Sequence, residues 1–585
     1  MSGQARRARG WAFLLVTLFC VLYFGFELGS RSISSPDEGR YIEIPREMAL
    51  SNDYVLPRLN GVLYFEKPPL FYWLQALTIE VLPINGWTMR LWPALLGLGG
   101  CLFACWAGLR FYGRTAGIAA GGILATTLLY YGLARFVVLD MAVTAFMNAA
   151  LFFYLFAAET EDERKSKNFV RWGHAAAAGA VLCKGLIGLV LPALVVLVWI
   201  VLLGRWAFIK RLFNPIALAI FIVLAVPWHV AAAMGNKDFL WFYFVHEHLL
   251  RFTTTVHQRY QPPYYFLPVL IAGFLPWTGY IWHGLRRAWP KSWGQRQDHA
   301  VELFLIIWVA VIFGFFSISD SKLPTYILPV FAPLAVLTGR MLAPCIDEAR
   351  PDDLPAGRFF FIWLFGLAAI ALPVASQVPA LRAIPDVSVH WMDIRLWVFA
   401  MAAVFGAGAL GAFFLPRRFG VRGTLASIFL TAVLGWSVVS VIGARISPNS
   451  VGKLADAIRP YMDDNTVVAS YDTFFYDLPV DLDRKVVVVD NMAEFGFGAT
   501  QEDISAIVMP YDKYWLLWTS KRHVLMLTRR ARYDSWQKEG FPAISLCVMA
   551  ETDRAVAFAN WDVKDAQGAS RCIRKIKAGP HDLAE

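Results

Sequence analysis

The sequence predicts a mostly α-helical polytopic membrane protein carrying a C-terminal mixed α/β soluble domain. Three observations carry that prediction. Hydrophobic residues make up 57% of the 585 residues and charged residues only 17%, a balance typical of integral membrane proteins. Apolar runs long enough to cross a bilayer recur from Trp11 to Gly443 and then stop. Beyond them lie about 140 residues in which short β-branched runs alternate with helical stretches, a length that can hold its own core.

About thirteen spans read along the chain: 11–29, 87–109, 116–134, 138–158, 172–187, 188–203, 212–232, 265–283, 302–318, 324–342, 359–377, 394–415 and 424–443. The first has a basic start but no clear small-residue cleavage site, so it reads as a retained helix and not a signal peptide. Arg6, Arg7 and Arg9 before it place the N-terminus in the cytoplasm. Residues 172–203 could form one long helix or two short ones. As two, they leave Arg205, Lys210 and Arg211 inside, together with Arg286, Arg287, Lys291, Arg296, Arg417, Arg418 and Arg422; as one, all these basic clusters fall outside. The hairpin is preferred, with Gly185, Gly188 and Pro192 available for the bend. An odd span count then puts the C-terminus outside. The net charge of +10 is explained by cytoplasmic loops and calls for no nucleic-acid partner.

The chain divides into a transmembrane domain, 1–443, with external loops 30–86 and 233–264, and an external domain, 444–585. Segment 36–50 has helix chemistry: Ser35 can cap, Pro36 fits the first helical position, and Asp37 and Glu38 suit the positive end. Its Ile42, Ile44, Met48 and Leu50 can lie along the bilayer surface, and Pro45 argues for two short pieces. In the tail, 466–470, 486–490, 523–527 and 555–558 read as strands and Val451–Met462 as helical. Cys20, Cys101, Cys105 and Cys183 sit in spans and Cys345 at a cytoplasmic end. Cys547 and Cys572 fall in the external tail, where a disulfide between them can form.

Chemistry-bearing residues gather on the external face. Lys67 stands beside Glu66 and is stiffened by Pro68 and Pro69. Asp140, at the mouth of the fourth span, is costly there unless wet or paired, and Arg135 is one candidate partner. Lys184 ends the fifth span, where it can pair with a carboxylate or snorkel. Glu66, His246 and His248 are the right ligand types for a divalent ion such as Zn²⁺, although the His-x-His spacing equally suits hydrogen-bonded surface histidines.

Pro36-Asp37-Glu38-Gly39-Arg40-Tyr41 with Glu66-Lys67-Pro68-Pro69 resembles the lipid A aminoarabinose transferases. These are polytopic glycosyltransferases of the GT-C fold, related to the protein O-mannosyltransferases. His248-Leu249-Leu250-Arg251-Phe252, Lys322-Leu323-Pro324-Thr325-Tyr326 and Leu139-Asp140-Met141 are similar to further motifs of that family. The resemblance implies an inverting transfer of 4-amino-4-deoxy-L-arabinose from undecaprenyl phosphate to a lipid A phosphate, at the periplasmic face of a bacterial inner membrane. It assigns Lys67, Arg251 and Tyr326 to the donor phosphate, Asp37 to the catalytic carboxylate, and Asp140 to the cavity beside it. Glu38 is a second carboxylate of that site or a helix-terminal charge, and Lys184 and Lys322 join the cavity. Membrane lipids, the sugar donor and lipid A are the implied partners.

Two other readings compete. One is transfer of another polyprenyl-linked sugar to a lipid or protein; the other is a transporter or flippase. Transporters place polar residues at the bilayer midplane within repeated halves, whereas the ionisable residues here gather at one face and no repeat is visible.

Overall fold

The computed structural model describes residues 3–250, 260–348, 355–378, 385–446, 450–540, 546–562 and 572–573. Helical structure occupies each expected span, from Gly3–Gly25 to Val421–Ile446. Among the described residues, eight helices are long and apolar enough to cross a membrane, and nine if one bent pair counts as a single span. The form departs from the expectation at two places. Span 116–134 is broken into Arg114–Thr126 and Leu128–Leu133, with Thr127 extended between them. The Thr126 and Thr127 hydroxyls donate to the carbonyls of Gly122 and Leu124, a local bond that competes with the helix ladder. Span 265–283 is a pair, Pro263–Gly273 and Thr278–Ala288, bent by 110° around a segment containing Pro276, which has no N–H to offer.

The disputed run 172–203 is a hairpin. Helix Glu163–Lys184 ends at Gly185, whose φ of 83° suits glycine, and Ile187–Leu203 returns. A side chain on Gly188 would meet the Ala180 carbonyl carbon at 2.4 Å, so the helices touch backbone to backbone just past the turn. The return brings Arg205 to Glu159. Arg205 belongs to a cluster at one end of the bundle in which Arg340 pairs with Glu302 and Arg422 donates to the Ile346 carbonyl. The opposite end holds the first loop and the tail.

In the first loop, Asp37–Ser51 is one continuous helix despite Pro45, a correction to the two expected pieces. Tertiary contacts override the proline. Gly39 lies against the Tyr476–Asp477 backbone, where a side chain would meet atoms at 2.5 Å. Arg46 reaches Glu43 at 2.7 Å and, across to the tail, Asp483 at 2.7 Å. Ile42, Ile44 and Met48 are buried and only Leu50 is exposed, so the helix is an internal element and not a bilayer-surface one. Ser35 does not cap it; its Oγ accepts from Tyr476 N instead.

Strands β1 (Arg58–Leu59) and β2 (Val62–Leu63) form a hairpin whose Asn60-Gly61 turn takes positive φ at both positions. The buried Asn60 side chain then docks on the tail, donating to Val486 O and accepting from Val486 N at 2.7 and 2.8 Å.

The tail is built on β3 (Val467–Tyr471), β4 (Val487–Val489), β5 (Val508–Met509), β6 (Val524–Arg529), β7 (Leu546–Glu551), β8 (Ala555–Ala559) and β9 (Cys572–Ile573). Their order is β5-β4-β3-β6-β8-β7-β9, with β5-β4-β3-β6 parallel and the remaining pairs antiparallel. The four expected strands are β3, β4, β6 and β8, and the mixed α/β class holds. A disulfide joins Cys547 to Cys572, linking β7 to β9.

Candidate active site

A cavity of about 900 Å³ opens where the first loop, the span ends around Asp140, Lys184 and Tyr326, the segment 238–247 and the tail meet. Asp37, in the first turn of its helix, faces this cavity with a half-exposed side chain 3.5 Å from Arg40. Asp140 and Lys184 face it as a pair, 2.5 Å apart. The partner of Asp140 is thus Lys184 and not Arg135, which donates to Phe24 O at 2.6 Å and lies over the Tyr131 ring. Lys184 also sits 4.6 Å from the centre of the Tyr326 ring, a cation–π contact.

Lys67 lies 3.1 Å from the buried Glu247 carboxylate, 3.8 Å from Glu66, and donates to the Glu66 carbonyl. Glu66, Lys67, Lys184, Glu247 and Tyr326 also line a second pocket of about 100 Å³, completed by Ile187, Phe315, Phe316, Ser319 and Ser321. These five residues therefore form a polar wall between the main cavity and a more apolar recess among the helices.

Two expected site residues lie elsewhere. Glu38 is fully buried: its carboxylate binds Arg90 at 2.8 and 2.9 Å and Arg31 at 2.9 Å, and accepts from Ser34 N and Val137 N. It lines neither pocket and ties the first loop to the segment leading into Asp140; of its two expected readings, the structure places it as a buried charge in the first turn of the helix. Lys322 is buried and donates to the Gln261 and Ser319 carbonyls, so its ammonium is held by backbone and faces neither pocket. Arg251 and the His248 side chain lie outside the described residues.

The metal reading rests on Glu66 and His246, which share the cavity. His246 Nδ1 is 3.3 Å from Glu247, a carboxylate suited to orienting a ligating imidazole. Among the described residues, three ligand side chains converge at Cys547, Asp562 and Cys572, a group that can hold a metal only with its disulfide open.

Sequence reading passed over three residues. Arg40 lies inside a quoted motif and Glu247 directly before another, so their positions are a usable signal. Glu494 carries no local signal; it comes from the tail and pairs with Arg40 at 2.7 Å. Burial, and next the Glu66 charge, push the Glu494 carboxyl up to about 7 against the opposing pull of Arg40.

Residues 11–243 match the family described as dolichyl-phosphate-mannose-protein mannosyltransferase, and 454–560 match the aminoarabinose transferase C-terminal domain. Fold, cavity and these matches together define a polytopic membrane glycosyltransferase. The chain is 31% identical over 433 residues to an undecaprenyl phosphate-α-4-amino-4-deoxy-L-arabinose arabinosyl transferase of Aeromonas salmonicida, covering 73% of this chain and 76% of that one. It is 29% identical to the Edwardsiella ictaluri protein of the same name, over 92% of this chain and 97% of the relative. The crystal structure of ArnT from Cupriavidus metallidurans bound to undecaprenyl phosphate superposes with a TM-score of 0.82 at 30% identity, covering 94% and 98% of the two chains. The chain belongs to the undecaprenyl phosphate-α-4-amino-4-deoxy-L-arabinose arabinosyl transferases.

Proposed function

We propose that the protein transfers 4-amino-4-deoxy-L-arabinose from undecaprenyl phosphate to a lipid A phosphate, inverting the anomeric centre, at the periplasmic face of the bacterial inner membrane. The observation that carries this reading is the polar wall of Lys67, Lys184 and Tyr326 between a charged cavity and an apolar recess. A polyprenyl phosphate needs both: cations for its headgroup and apolar surface for its chain.

An oxygen of the acceptor phosphate attacks the anomeric carbon; the bond to the polyprenyl phosphate breaks and its electron pair leaves with that phosphate. Lys67, Arg251 and the Tyr326 hydroxyl stabilise the departing charge. Lys67 is matched by Glu247 and Glu66, and Lys184 by Asp140, so these cations are held in orientation. The acceptor phosphate is ionised and needs no base, so Asp37 orients the acceptor or holds the sugar amine.

The charge of the cavity supports a cationic component. Among the described residues its lining carries the carboxylates of Asp37, Glu66, Asp140, Asp238 and Glu247 against three cations on Arg40, Lys67 and Lys184, with the Glu494 carboxyl raised to about 7. An amino sugar redresses that imbalance, and so does a divalent ion such as Zn²⁺ held by Glu66, His246 and His248. Such an ion would supply charge neutralisation next to the leaving phosphate.

Mass spectrometry of lipid A from cells able to make the donor, with and without this protein, tests the reading. A mass increase of one aminoarabinose that requires the protein is expected; its absence sinks the assignment. Lys67→Ala and Arg251→Ala should each weaken binding of undecaprenyl phosphate itself, and the double variant should be non-additive.

A further inference from the structure

At the tail side of the cavity, a carboxylate and an aromatic face stand together without belonging to the phosphate wall. Asp238 lines the cavity, and its Oδ2 accepts from Gln501 Nε2 at 3.1 Å. The Gln501 amide is itself fixed, since its Oε1 accepts from Asn236 Nδ2 at 3.0 Å and its Nε2 also donates to Thr500. Asn236 Oδ1 accepts from the Asp238 backbone N–H at 3.0 Å. Asp238 is therefore oriented by neutral amides, with no cation among its described partners, and keeps acceptor sites beyond the one used by Gln501. Three residues on, Trp241 faces the same cavity with 59% of its surface exposed. The Phe242 and Phe497 rings, stacked at 4.1 Å, lock this segment to the tail.

We propose that Asp238 and Trp241 form a saccharide subsite that takes a pyranose ring of the acceptor. This rests on the transfer reaction proposed above. An exposed indole offers a flat face for the C–H bonds of a sugar ring, and an oriented carboxylate accepts from adjacent hydroxyls. A phosphate does not suit this position, because Asp238 would repel it. The location separates the ring from the donor: neither residue lines the recess shared by Lys67, Lys184 and Tyr326. Since Gln501 and Thr500 come from the tail and Asp238 and Trp241 from the membrane domain, the tail acts as a positioning element for acceptor choice.

The test uses the purified full-length protein with the undecaprenyl-phosphate-linked sugar and lipid A. Trp241→Ala and Asp238→Asn should raise the KM for lipid A about five- to twentyfold, the size of one lost polar or stacking contact. The KM for the donor should stay within about twofold, and Trp241→Tyr should recover most of the loss. Gln501→Ala should shift the lipid A KM in the same direction. A change in donor KM instead, or an unchanged lipid A KM in both variants, overturns the subsite. Binding of lipid A to donor-free protein keeps this separate from the reaction. If wild type transfers nothing to lipid A, the functional reading falls; the subsite still stands or falls on whether Trp241→Ala weakens that binding.

Discussion

The Lys184 ammonium stands 2.5 Å from the Asp140 carboxylate, each side chain about 15% exposed, at the cavity end of adjacent helices. Neither group carries an uncompensated charge in the resting protein, yet both face the space where the donor phosphate is proposed to sit. A pair so placed can exchange its partner for substrate without either charge losing solvation.

Truncating one member should therefore harm catalysis more than folding. Asp140→Asn and Lys184→Met are each expected to lower the transfer rate by one to two orders of magnitude, the size of about 1.5–3 kcal/mol of charge-assisted contact. Single-turnover kinetics with the purified protein measures this. Rates within twofold of wild type for both variants would exclude the pair from the chemistry.

Glu38 should behave in the opposite way. Its carboxylate is fully buried and holds both Arg31 and Arg90. Removing it leaves the buried Arg90 and the part-buried Arg31 without their countercharge, a loss of about 3–5 kcal/mol. Glu38→Ala should lower the melting temperature in detergent markedly, whereas Asp37→Asn, at a half-exposed position, should abolish transfer with the melting temperature nearly unchanged. Comparable melting temperatures for the two variants would contradict this division.

Glu494 makes a pH dependence. Its carboxyl is raised from an ordinary 4.5 to about 7, chiefly by burial. The folded state thus binds this proton more tightly than the unfolded chain, so the stabilising contribution is full below pH 4.5 and fades as the pH rises through about 7. Glu47 and Asp481, each pushed up to about 8 by burial, act in the same direction over a higher range. Thermal melts between pH 5 and 8 should show falling stability for wild type and a shallower fall for Glu494→Gln. Identical slopes would mean that Glu494 is not held protonated at the junction.

The sidedness of the hairpin has its own test. Ala207 and Ala457 are both exposed, and the native free cysteines are buried. A cysteine at 207 should be protected from membrane-impermeant thiol reagents in intact spheroplasts, and one at 457 should react. Labelling at 207 would invert the assignment of the cavity to the periplasmic side.

What the sequence determined by itself was whatever local composition encodes. Apolar runs of bilayer length mark the spans, because no hydrocarbon-facing segment can carry many charges. Basic clusters settled the hairpin at 172–203, where hydropathy alone was ambiguous. β-Branched runs found β3, β4, β6 and β8 but missed β5, β7 and β9: β5 and β9 have only two residues each, and β7, Leu546–Glu551, carries a single β-branched residue, Val548. The motifs placed Asp37, Glu66, Lys67, Asp140 and Tyr326 on one cavity.

Only the tertiary structure decided which charge meets which. Asp140 had Arg135 five residues away, yet its partner is Lys184, brought in by an adjacent helix. Glu38 and Lys322 sit in matching motifs but are buried, each with a partner from a separate segment: Arg90 for Glu38 and the Gln261 carbonyl for Lys322. Pro45 breaks an isolated helix but not one clamped between the hairpin and the tail. Glu494 reaches the cavity from more than four hundred residues beyond Arg40. Such pairings depend on distances that local patterns do not contain, and electrostatic energies follow distance and burial rather than sequence spacing.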